Sequence, residues 1–111
     1  MNRSDWVWMP HPAHFIAARH CDFRLATYVG GYIVSTVGEM RRRDGAPGFE
    51  EVGDMRTYET MVFRAVPSRH VCCPWEITDV GNPVDTDGYN DAGEATRGHM
   101  RLCEKWARED A

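Results

Sequence analysis

The sequence predicts an α+β fold, an antiparallel meander of three to four strands with one C-terminal helix packed on one face. Three observations carry that reading. Apolar and β-branched residues crowd Phe23 to Val29 and Tyr32 to Val37, on either side of Gly30-Gly31, a two-residue hairpin signal. Thr57 to Val66 is apolar on both of its alternating sides, as a central strand should be. Near the C-terminus, Ala95, His99, Leu102, Cys103 and Trp106 recur at helical spacing, with charged residues between them.

The elements follow in chain order. Trp6-Val7-Trp8-Met9 is apolar, with the two tryptophans a candidate lid on the core, and Pro10-His11-Pro12 then halts any regular element. His14 to His20 reads as a first strand, turned by Cys21-Asp22. Phe23, Leu25, Thr27 and Val29 share one face of the next strand, and Tyr32 to Val37 returns. Arg41-Arg42-Arg43-Asp44-Gly45-Ala46-Pro47-Gly48 is a loop by its turn formers. After Thr57 to Val66, residues 67–90 hold three prolines and two glycines and are expected to be irregular, without room for an element. The helix spans 91–109. Asp91 is its N-cap and Glu94, three residues on, completes a capping-box variant.

A chain of 111 residues is one domain's worth of protein. With 42% hydrophobic and 27% charged residues it is a folding sequence rather than a disordered one. Its net charge is −4, which argues against a general nucleic-acid coat. The charge is uneven: residues 1–43 carry +3 and residues 44–111 carry −7. No apolar run approaches the ~20 residues of a membrane-spanning helix, and the first residues lack an export-type apolar core. The expected location is therefore the cytoplasm.

Four cysteines without an export signal point to metal binding or reactivity before disulfides. His99 and Cys103 stand four residues apart, so a helix projects both from one face toward a common ion. Cys72 and Cys73 in the irregular stretch would complete a tetrahedral zinc site of three sulfurs and one nitrogen, closed and hence structural. A second version uses His70 with Cys72, and a third brings in Cys21 or His20. Buried free thiols with a core histidine, or a Cys72–Cys103 disulfide, account for the same residues without metal. Asp85-Thr86-Asp87-Gly88 resembles a calcium loop, but the glycine falls two positions early and position twelve is Thr96, which rules out that loop.

The stretches WMPHPAHF, FRLATYVGGYIVSTVGE, TYETMVFRA and GHMRLCEKWA together resemble a family of small uncharacterised proteins of bacteriophages and prophages, over roughly Trp6 to Trp106. The chain is shorter than that pattern between Glu39 and Phe49. The resemblance carries no catalytic residue; it implies an accessory protein that binds a host or phage protein, such as a host defence inhibitor.

Three functions are therefore expected to compete. The first is a non-enzymatic protein-binding module stabilised by zinc, contacting its partner through the acidic stretch with Asp79, Asp85 and Asp87 and through Arg41, Arg42 and Arg43. The second is a nucleic-acid binder using Arg19, Arg24 and Arg41 to Arg43. The third is a small hydrolase built on His11, His14 and His20. The absence of any Gly-rich phosphate loop or nucleophile motif favours the first.

Overall fold

A computed structural model describes residues 2–10, 20–53, 55–69 and 73–109. Seven antiparallel strands and one long helix form the described part: β1 (Val7–Trp8), β2 (Cys21–Val29), β3 (Tyr32–Arg41), β4 (Phe49–Glu50), β5 (Tyr58–Pro67), β6 (Trp75–Ile77), β7 (Asp85–Tyr89) and α1 (Ala92–Glu109). A short 3-10 turn at Arg3–Asp5 precedes β1. The sheet runs β1-β2-β3-β5-β6, with β4 on β3 and β7 on β5.

The α+β class and the C-terminal helix are as expected, but the strand count exceeds three to four. β1, β4 and β6 are only two or three residues long, too short to display a period. β7 reads Asp-Thr-Asp-Gly-Tyr and has no apolar alternation. Its ladder to β5 is made by backbone, Val62 opposite Asp85 through Tyr58 opposite Tyr89. β6 takes the same edge of β5 further along, opposite Ala65 to Pro67. The stretch expected to be irregular thus supplies two edge strands. Cys21-Asp22, expected as a turn, instead begins β2, with Cys21 opposite Met40. The expected strand over His14 to His20 lies outside the described residues, except for His20.

The β2–β3 hairpin closes on Gly30 (φ 48°) and Gly31 (φ 94°), the left-handed pair that such a turn requires. Farther along β3, Glu39 stands at φ 56°. Pairing with β5 stops at Gly38 and pairing with β4 starts at Met40, so this left-handed residue marks where β3 changes partners. The Glu39 carboxylate accepts the Tyr58 hydroxyl at 2.8 Å, tying the bend to β5.

One sheet face carries α1. Val29, Val34 and Val62 meet Leu102, Cys103, Ala107 and Trp6 there, with Trp106 and Met100 packed at the margin. Burying one such aliphatic side chain contributes about 1.5–3 kcal/mol, so this cluster is what fastens the helix to the sheet. The inward parity expected for Thr27 and Val29 holds. Of the two tryptophans expected to lid the core, Trp6 is buried and Trp8 is 51% exposed. The helix starts as its cap predicts, with the Glu94 amide donating to the Asp91 side chain at 2.8 Å. Ile33 and Phe63 build a second cluster on the opposite sheet face with Tyr28 stacked on Trp75. No described helix is long and apolar enough to cross a membrane.

Candidate functional site

Two places combine chemistry-bearing residues, one inside the molecule and one on its surface. Inside, threonines from three adjacent strands form a chain of contacts that ends on one histidine. Thr36 and Thr60 stand directly opposite each other on β3 and β5, and Thr27 lies on β2. Thr27 Oγ1 lies 2.8 Å from His99 Nε2, Thr36 Oγ1 lies 2.6 Å from Nδ1, and Thr36 and Thr60 are 2.6 Å apart. All four side chains are fully buried.

A neutral imidazole has one N–H and one lone-pair nitrogen, and this run satisfies both. In one consistent direction Thr60 donates to Thr36, Thr36 donates to Nδ1, and Nε2 donates to Thr27. Burial pushes the His99 pKa down to about 4, so the ring is neutral at physiological pH. Burial also pushes the Cys103 thiol up to about 12. The thiol is therefore protonated and is no nucleophile. The Trp8 ring lies against His99, with centroids 5.5 Å apart. Sealed under α1, the four side chains of this cluster are fully buried. Its role is to fix the register of helix on sheet.

The expected zinc residues divide. His99 and Cys103 do share one inward helix face, Cys73 lies just before β6, and Cys72 and His70 are outside the described residues. Among the described residues no three His, Cys, Asp or Glu side chains converge to hold a metal ion. Each His99 nitrogen already has a hydroxyl partner, so a zinc ion there would displace one. Structural zinc on Cys72, Cys73, His99 and Cys103 is thus a proposal carried by the shared helix face. It predicts about one zinc per chain by elemental analysis and a lower melting temperature after chelation. A metal-free protein whose melting is unchanged by chelator would remove it.

The expected partner residues are engaged within the chain. Arg41 reaches Asp22 at 3.5 Å, Arg42 pairs with Asp44 at 2.6 Å, and the Arg43 amide donates to Glu50 at 3.3 Å. Arg41 thus ties the end of β3 to β2, while Arg42 and the Arg43 amide tie the turn between β3 and β4 to itself. Asp79 holds a turn by accepting Asn82 Nδ2 at 2.9 Å. Asp85 accepts both Lys105 Nζ at 2.8 Å and Trp106 Nε1 at 2.9 Å, and Asp87 faces Arg101 at 3.4 Å. Asp85 and Asp87 are thereby tied to the helix, with their charge offset by Lys105 and Arg101.

The surface site is the outer face of α1. Arg3, Thr96, Arg97, Met100, Arg101, Glu104 and Arg108 line a shallow groove of about 400 Å³. At 3.6 residues per turn, Arg97, Arg101, Glu104 and Arg108 fall within roughly 60° of one another, opposite the buried face. The turn at Arg3–Asp5 lies beside them because Trp6 is anchored in the core and the Arg3 guanidinium binds Glu104. The four guanidiniums and one carboxylate carry net +3, so the rest of a chain of net −4 carries −7. The helical spacing of Arg97, Arg101 and Arg108 was a signal for this face in the sequence. Nothing local foretold Arg3, which is 94 residues from the nearest of them.

No family model, curated protein or solved structure matches this chain.

Proposed function

We propose that the protein is a small non-enzymatic binding module that docks an anionic segment of a partner protein on the arginine-lined face of α1. The groove itself carries the reading. Arg97 and Arg108 make no ion pair among the described residues, and Met100 supplies an apolar floor. The interior histidine and thiols, sealed and neutral, are scaffold in this account. The resemblance to small phage and prophage proteins supports a host or phage protein as the partner, a host defence protein included. The partner surface moves from the acidic stretch to the helix because Asp85 and Asp87 already serve the helix's own cations.

The test is fluorescence anisotropy with a labelled hexaglutamate peptide at low ionic strength. The double variant Arg97→Ala/Arg108→Ala is expected to bind roughly five- to twentyfold more weakly, since each exposed charge contact is worth up to about 1 kcal/mol. Binding by the parent protein should also weaken with salt. Equal affinity of the two proteins for the peptide would contradict the reading. Tighter binding to a short DNA duplex than to the peptide would transfer the groove to a nucleic-acid role.

A further inference from the structure

We propose that Glu104 occupies the place of a ligand carboxylate, so that the groove takes a short acidic peptide whose side chain displaces Glu104 from Arg3. The inference rests on the binding reading above and names its ligand. Both Nε and Nη2 of Arg3 close on the same oxygen of Glu104, although both side chains are substantially exposed. Among the groove-lining side chains this carboxylate is the single anion, set among four guanidiniums. It shows what that geometry accepts: a planar anion on Arg3 at the edge of a cationic stripe.

The ligand's length follows from the helix. Arg97 to Arg108 is eleven residue steps, about 16 Å of axis, which matches about five residues of extended peptide. Length also separates a peptide from a long polyanion. Charge beyond the groove sums to −7. A duplex longer than the groove would run onto a remainder of the chain that is net negative. A five-residue acidic segment stays over the arginines. Met100, half-buried against the core, would receive an apolar side chain between the acids.

The experiment compares the labelled hexaglutamate peptide on the parent protein, Glu104→Gln and Glu94→Gln. Glu94 is also an exposed acid of α1, lies outside the groove lining, and controls for net charge. Glu104→Gln should bind roughly two- to fivefold more tightly than the parent, because an exposed internal ion pair no longer competes. Glu94→Gln should show little gain, and the gain of Glu104→Gln should shrink in an Arg3→Ala background. Equal gains from the two glutamines, or none, would overturn the displacement while leaving the groove as the binding face. Absence of peptide binding by all variants would overturn both readings together, and preference for a short DNA duplex would replace the peptide with nucleic acid. Unchanged melting of Glu104→Gln confirms that affinity, not folding, is being read.

Discussion

Alanine at Gly98 is expected to lower the melting temperature, against the propensity that makes alanine the better helix residue by about 1 kcal/mol. The reason is contact. A Cβ on Gly98 would fall inside the ring of Tyr89, which is buried between β5 and the helix and packs with Tyr58 and Ala95. Forcing α1 off that ring costs roughly 1–3 kcal/mol beyond the propensity gain. For a domain of this size that is a fall of roughly 4–15 °C. Gly93→Ala is the control. Its Cβ would meet the mobile Arg97 guanidinium and the Asp91 cap oxygen, both at 3.2 Å, a contact far milder than the overlap at Gly98, so its melting should change much less. Thermal unfolding of the two variants checks the packing, and a rise for Gly98→Ala would contradict it.

The second large effect belongs to His99. Removing the ring takes the imidazole partner from Thr27, leaves Thr36 with Thr60 alone, and opens a cavity in a sealed interior. His99→Ala should therefore lose roughly 3–5 kcal/mol of stability by denaturant unfolding at neutral pH. The pH dependence has a defined sign. The folded His99 pKa is lowered from 6.5 to about 4, so the unfolded chain takes up the proton first. The stabilisation is complete above about 6.5 and is lost as the pH falls toward 4, by on the order of 3 kcal/mol. His99→Gln should remove that slope. Asp85 does not confuse the window. Burial raises its carboxyl, but bonds from Lys105 and Trp106 outweigh this and hold it below the usual carboxylate range. Its contribution is lost at more acid pH. A parent protein with the same stability slope as His99→Gln would contradict a neutral, buried His99.

How much was legible in the sequence depended on whether burial wrote a period. Thr27 and Val29, and Ala95 through Cys103, are placed by alternation and by the helical repeat, because one face of each element is covered. β7 was hidden because its side chains are polar and serve the helix through Asp85 and Asp87. β6 was hidden by brevity, between Pro74 and Gly81. The pairing of His99 with Cys103 was read correctly as one face, while its hydroxyl partners were not foreseen. Thr27, Thr36 and Thr60 are separated by nine and twenty-four residues and meet only through strand register. The acidic residues were read as a free surface because their cations, Arg101 and Lys105, lie on another element. Arg3 illustrates the same limit, since its place depends on Trp6 being drawn into the core.

The binding account is tested most directly by following backbone amide and arginine Nε–H resonances while the hexaglutamate peptide is titrated in. Progressive shifts should concentrate at Arg3, Arg97, Met100, Arg101, Glu104 and Arg108, with the buried Thr36, Thr60 and His99 unmoved. Shifts gathered instead at Arg24 and Arg41 to Arg43, or no shifts at all, would contradict docking on the outer face of α1.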